Sequence, residues 1–275
     1  MSKQQKISIS GSAEPFLKTI IDQKKQHTVI YTNNSVLVSI DQREYIFSDS
    51  DLSLHELGFI GRAKKQIIQL AEQKQLPERS PIFYRIFPHK FTSYEYLTEI
   101  DLSSAYWIEA FRCGLLTEGI FKQGEQITKK SRLIAFGSAA TVRRSFFFDG
   151  EKYTDMAEDF NEYGRRAYFY VASNIVSAIR SICEKIPGAA LLYWVDAIVC
   201  LPEYAPFVCR EFSNLGYPFK TKGLRDCRHF QKNPPTGPKV WSVTEIDSGR
   251  KKEFTEHRKK KSILNLINAN FEKVQ

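Results

Sequence analysis

Residues 189–201, AALLYWVDAIVCL, form an apolar run with a single charged residue, Asp196, near the middle. The run is shorter than the roughly 18 apolar residues needed to span a bilayer. A carboxylate inside it needs a partner or a cation, because an unpaired buried charge is strongly unfavourable. The pattern therefore predicts two strand halves about Asp196. A second such place lies upstream. YEYLTEI, residues 94–100, reads as a strand, and Asp101 follows where a buried strand would carry Val, Ile or Leu; Ser103, Ser104, Ala105 and Tyr106 come next. If neighbouring strands of one sheet carry Asp101 and Asp196, their hard oxygens form a natural site for divalent cations such as Mg2+. Taken singly, each aspartate also has an ordinary reading as a helix cap or a surface strand end.

The rest of the chain alternates in type. EPFLKTIIDQKKQ (14–26) reads as an amphipathic helix, and HTVIYTNNSVLVSIDQREYIF (27–47) as strands joined by a hairpin at Asn33-Asn34-Ser35. A helix is predicted from Ser53, with Glu56 as its capping-box partner, Asp51 as the other candidate N-cap, and Pro77 beyond its end. SAYWIEAFRCG (104–114) reads as a helix or turn and KKSRLIAFGSAATVRR (129–144) as a helix. YTDMAEDFNEYGRRAYFYVASNIVSAIRSICEK (153–185) reads as one long helix interrupted by Gly164 and ended before Pro187-Gly188. PEYAPFVCREFSNLG (202–216) is a further helix and YPFKTKGL (217–224) a strand. This order predicts an α+β fold, an antiparallel sheet with helices on one face, plus a small N-terminal α/β region. The expected divisions are 1–90, a main domain at 91–230 with reduced fingers at about 108–150, and a basic segment at 231–275.

A formal net charge of +9 favours a polyanionic partner, since Lys and Arg gain affinity by releasing counterions from phosphates. Five cysteines, odd in number and without a C-x-x-C pair, argue against a disulfide framework or a zinc ribbon. MSKQQKISIS lacks the apolar core of a signal peptide, so a cytoplasmic, membrane-free protein is expected, in a host cytoplasm if the chain is phage-encoded. Other constellations are poorer. Cys227-Arg228-His229 has no second ligand pair at zinc spacing, GFIGR (58–62) lacks the lysine of a phosphate loop, and SFFF (145–148) reads as core rather than a stacking platform. RKKEFTEHRKKK (250–261) is a charged run that is either solvated or an arm for nucleic acid.

Three motifs in order resemble family B DNA polymerases. DLSSAYW is similar to motif A, D-x-x-S-L-Y-P, at Asp101, Ser104 and Tyr106. KKSRLIAFG is similar to motif B, K-x-x-x-N-S-x-Y-G, at Lys129 and Gly137, with Phe136 in place of Tyr. YWVDAI resembles motif C, Y-x-D-T-D-S, with Asp196 on the second aspartate, Ala197 at the serine and Trp194 in place of the first aspartate. The resemblance covers about residues 94–225.

The resemblance implies a miniature or divergent palm of the kind found in phages and mobile elements, working with two Mg2+ or Mn2+ ions on a DNA primer-template and dNTP, alongside other replication proteins. Asp101 and Asp196 would be catalytic and hold the metals, with the Leu102 carbonyl as a further oxygen ligand. Amides around Ser104 and Ala105 would cradle phosphates, Tyr106 would stack under the sugar, and Lys129 would neutralise the triphosphate with Arg132 beside it. Phe136 would pack near the nascent base pair, while Lys220 and Lys222 are candidates for nucleic-acid phosphate contacts. Trp194 and Leu133-Ile134 depart from motifs C and B. They keep open a palm that binds nucleic acid without catalysis, and a basic interaction protein with chance matches remains a third reading.

Overall fold

The computed structural model describes residues 5–32, 35–48, 52–87, 92–232 and 239–255. The chain begins with β1 (Gln5–Ser10), α1 (Glu14–Asp22), β2 (His27–Tyr31), β3 (Ser35–Ile40), β4 (Arg43–Ser48) and α2 (Leu54–Lys74). Then come β5 (Tyr84–Ile86), β6 (Ser93–Leu102), α3 (Ala105–Arg112), α4 (Glu118–Glu125) and α5 (Lys129–Ala139). β7 (Arg143–Phe148), β8 (Tyr153–Asp159), α6 (Glu162–Lys185), β9 (Ala190–Trp194) and β10 (Ala197–Cys200) follow. The described chain closes with α7 (Ala205–Asn214), β11 (Phe219–Gln231), β12 (Lys239–Glu245) and β13 (Lys251–Thr255).

The first sheet has the order β1-β4-β3-β2-β7-β8 and is antiparallel except where β1 lies beside β4. The period-2 alternation of its strands sends Val29, Val38, Phe47, Phe146 and Phe148 to one face, where Leu17 and Ile20 of α1 cover them. Two phenylalanines of SFFF are thus core, as expected. β2 and β3 pair as a hairpin requires, with Tyr31 opposite Val36; Asn33 and Asn34 lie outside the described residues.

The second sheet, β13-β12-β11-β6-β10-β9-β5, is antiparallel throughout. Ile100, Leu102, Ile198 and Cys200 point to the helices and meet a core that includes Phe59 and Ile67 of α2 and Val171, Ile175 and Ile179 of α6. Each fully buried side chain of this size contributes about 1.5–3 kcal/mol relative to exposure. Leu97, Val199, Leu224, Trp241 and Val243 line the opposite face. An α+β architecture with an antiparallel sheet and helices on one face is therefore what the chain adopts. Among the described residues, no helix is long and apolar enough to cross a membrane.

One long helix was expected over 153–185, and the structure corrects its first part. Residues 153–159 form β8 on the edge of β7, joined by a turn in which the Asp149 carboxylate accepts the amides of Glu151 and Lys152 at 2.8 and 2.9 Å. Tyr153 is anchored by its hydroxyl on His27 Nε2 at 2.6 Å, a pairing across the sheet that no local helical pattern foretells. The helix starts only after Asn161, whose side chain accepts the Gly164 amide at 2.8 Å. Gly164 does not interrupt α6. It sits in the first turn, where a Cβ would lie 2.1 Å from the Ala139 carbonyl oxygen, so glycine is what lets α6 approach the end of α5.

The sheets also cut across the sequence divisions. β7 and β8, from the stretch expected to form or follow small fingers, complete the first sheet, while α2 and β5 of the N-terminal segment belong with the second.

Candidate active site

β6 is the middle of the second sheet, with β10 on one side and β11 on the other. Asp101 stands directly opposite Ala197 of β10 and opposite Lys220 of β11. Because Ile100 and Leu102 face the helices, alternation turns Asp101 and Glu99 to the other face, together with Lys220 and Lys222. Asp196 lies in the two-residue turn between Trp194 and Ala197, which pair with each other. The Leu102 amide donates to the Asp196 carbonyl at 2.9 Å, tying that turn to the end of β6.

The turn is strained. Val195 has φ 58°, a left-handed conformation that a β-branched residue rarely enters and that a glycine ordinarily takes. Such strain persists only where neighbours over-determine it. Here the Val195 amide donates to the Phe83 carbonyl, and Trp194 pairs with Tyr84 of β5. Burial and, next, the negative charge of Asp101 push the Asp196 carboxyl up to about 6, while Lys129 pulls the other way. Two mutually repelling carboxylates, one at the end of a central strand and one in the adjoining turn, form an oxygen-donor set that gains from a divalent cation, and in this respect the residues fit the metals expected.

Glu99, two residues before Asp101, is only 6% exposed and went unnoticed in the sequence, although the strand period places it on the same face. It too raises the Asp196 carboxyl. Glu99 is engaged with Lys252 at 3.3 Å; Lys252 also bonds Glu245, and Lys222 reaches Glu245 at 3.4 Å. Lys222 is thus a member of a structural ion-pair network beside the site, whereas Lys220 is exposed on the strand next to Asp101. Among the described residues, no group of three or more His, Cys, Asp or Glu side chains forms a ready metal cluster.

α5 brings the basic side of the site. Thr128 caps it by accepting the Ser131 amide, and the Glu56 carboxylate accepts both the Thr128 and Ser131 hydroxyls, at 2.9 and 2.8 Å. The same carboxylate closes the expected capping box of α2, taking the Ser53 amide at 3.0 Å. That backbone bond first, then the hydroxyls, holds the Glu56 carboxyl down at about 2. One side chain therefore locks the starts of two helices together, a link that motif spacing in α2 alone could not disclose.

From α5, Lys129 is exposed and Arg132 turns inward. The Arg132 guanidinium donates to the carbonyls of Gly124 and Ile127 at 2.7 and 3.1 Å and to Ser104 Oγ at 3.1 Å, so it fastens the α4–α5 connection to the turn after Asp101. Ser104 has φ 56° and is the N-cap of α3, with Ala105 its first residue, buried. Ser104, Tyr106, Trp107, Lys129, Arg132 and Leu133 surround a narrow cleft of about 10 Å³, so a triphosphate would lie across its rim and not inside it.

Tyr106 and Phe136 are 7% and 2% exposed. Tyr106 stacks on Tyr168 with centroids 5.7 Å apart, and Phe136 lies 5.8 Å from Tyr106 and 5.5 Å from Tyr168. Both rings are core beneath the site; in this arrangement neither turns an open face to a sugar or a base pair. The structure thus brings Asp101, Leu102 and Lys220 together on the adjoining strands β6 and β11 with Asp196 in the turn beside them, sets Lys129, Arg132 and Ser104 nearby, and keeps Tyr106 and Phe136 underneath. No family model matches this chain, and no curated protein sequence matches it.

Proposed function

We propose that this chain is a template-directed DNA polymerase that joins a dNTP to a 3′-hydroxyl in a minimal palm. The observation that carries the reading is the placement of Asp101 at the end of β6 opposite Ala197, with Asp196 in the turn immediately before Ala197, close enough for each carboxylate to feel the other's charge. Mg2+ or Mn2+ bound between these carboxylates would supply Lewis-acid stabilisation of the phosphoryl group and of the attacking oxygen. The chain's own residues would do the rest. Asp101 and Asp196 hold oxygen donors at the strand ends, with the Leu102 carbonyl beside them. Lys129 brings positive charge to the triphosphate, and Arg132 keeps the Ser104 turn in place for amides to meet phosphate oxygens. Lys220 lies where a primer or template phosphate would pass the carboxylates.

A second reading keeps the palm and drops the chemistry: a nucleic-acid-binding replication or defence accessory. Burial of Tyr106 in the core and Trp194 at the place of a carboxylate favour it. Primer extension on a labelled DNA hairpin with four dNTPs, first with Mg2+ and then with Mn2+, separates the two. Extension by the wild type that disappears in both Asp101→Ala and Asp196→Ala supports the polymerase. No extension, with equal DNA binding by all three proteins, leaves the accessory.

A further inference from the structure

α6 begins between two grooves that share one wall, the Phe160 ring. That ring is 42% exposed, although it is a large apolar group beside a helix start. In the first groove, of about 240 Å³, the Arg165 guanidinium lies over Phe160 at 5.0 Å and over Phe169 at 5.6 Å. Arg79 lies over Tyr170 at 4.4 Å and donates to Asn174 Oδ1 at 2.8 Å. In the second groove, Lys64 of α2 and Arg143 of β7 face the same space, and burial first and the Arg143 charge second lower the Lys64 ammonium. Among the described residues neither cation is ion-paired with a carboxylate. Glu162 is taken up by Arg166, which leaves Glu78 and Asp159 as the acidic residues of the two rims.

An exposed Phe160 ring beside half-buried Phe169 and Tyr170, interleaved with flat guanidinium groups and next to two cations without an ion pair among the described residues, matches one class of ligand: a flexible polyanion that carries planar bases. A folded acidic protein would use the cations but leave the Phe160–Arg165 stack without a planar partner. Continuity with the candidate active site points the same way. Phe169 packs on Tyr168 at 5.6 Å and Tyr168 on Tyr106 at 5.7 Å. With a rise of 1.5 Å per residue, the start of α6 lies about 10 Å along the helix from Tyr168.

We propose that the grooves on either side of Phe160 bind single-stranded nucleic acid, one base stacking on Phe160 and Arg165 while neighbouring phosphates rest on Lys64 and Arg143. Binding there needs no metal and no nucleotide, so the proposal stands apart from the polymerase reading; if both hold, the occupant is the unpaired template.

The test is fluorescence anisotropy in EDTA with a labelled oligothymidylate and an abasic strand of the same length and phosphate number. Wild type should prefer the base-bearing strand. Phe160→Ala should weaken it about 5- to 100-fold with little effect on the abasic strand, while Phe160→Trp should retain it. Lys64→Ala combined with Arg143→Ala should weaken both strands alike and reduce the slope of log K against log salt by about 2. Circular dichroism and Tm establish that each variant is folded. Equal wild-type affinity for the two strands, or folded Phe160 variants that bind as wild type does, would overturn the proposal. Groove-dependent binding without primer extension sinks the polymerase reading alone, and extension with groove-indifferent binding sinks this one alone.

Discussion

The backbone amide of Leu102 donates to the carbonyl of Asp196 at 2.9 Å, tying the last residue of β6 to the turn between β9 and β10. Asp101 precedes the donor by one residue, and its cross-strand neighbour Ala197 follows the acceptor by one. Asp101 is therefore set by ladder geometry and Asp196 by the turn tied to it, and their repulsion is present in the folded state.

That repulsion predicts a variant that gains stability. Burial and the Asp101 charge push the Asp196 carboxyl up to about 6 in the folded chain against an ordinary 3.8. Between those values the folded state binds more protons than the unfolded one, so stability falls as pH rises through the window and stays reduced above it. Asp196→Asn removes that slope. In EDTA at pH 7 it should be more stable than wild type by about 1–3 kcal/mol, and on the proposed polymerase reading it should show no primer extension when Mg2+ is restored. Urea unfolding from pH 4 to 7 measures the effect; parallel curves for the two proteins would refute it.

A cation that relieves the same repulsion should stabilise the fold by occupancy. At saturating Mn2+ or Mg2+ the wild-type Tm is expected to rise by about 5–10 °C, and that of Asp101→Asn to stay unchanged. Differential scanning fluorimetry with Ca2+ and Na+ as controls checks this, and equal shifts in both proteins would count against a site at Asp101.

Glu56 predicts the opposite pH behaviour. Its carboxyl is held at about 2 against an ordinary 4.5, so its contribution is complete above the ordinary value and is lost as pH falls from about 4.5 towards 2. Glu56→Gln should lose that part of the acid limb and lower Tm at pH 7. Because Thr128 and Ser131 would lose a charged acceptor at the start of α5, the proposed polymerase reading expects the KM for dNTP to rise more than kcat falls. An unchanged acid limb, read by circular dichroism melts, would show that the two helix starts are not coupled through this side chain.

Gly164→Ala should destabilise the chain by about 2–4 kcal/mol, because the added methyl meets the Ala139 carbonyl at a separation no packing tolerates and must push α6 off α5. A control, Gly137→Ala in α5, meets nothing within 4 Å and should be neutral or slightly stabilising. Guanidinium midpoints for the pair provide the comparison.

Much of the framework was legible locally. The α2 capping box, the hairpin about Asp196 and the strand ending at Asp101 follow from patterns within a few residues of one another, where the chain's own hydrogen bonds and side-chain alternation decide the outcome. The strand at 153–159 was not legible, because it exists by pairing with β7 and by the bond from Tyr153 to His27, both made far along the chain. Tyr106 and Phe136 read as ligand-facing by their motif positions, yet Tyr168, from a helix much later in sequence, takes up their ring faces.

By itself, the sequence determined that one aspartate ends an apolar strand and another divides an apolar run into two strand halves, that an α+β chain of net positive charge results, and where most helices start. Only the tertiary structure decided that β6 and β10 are neighbours in a register that puts Asp101 beside Ala197, that Glu99 shares their face, and that Phe160 stands open between two basic grooves. The division has a physical cause. Helix caps and strand alternation are set by bonds spanning a few residues, whereas register, burial and the meeting of like charges depend on which distant strands and helices share a core.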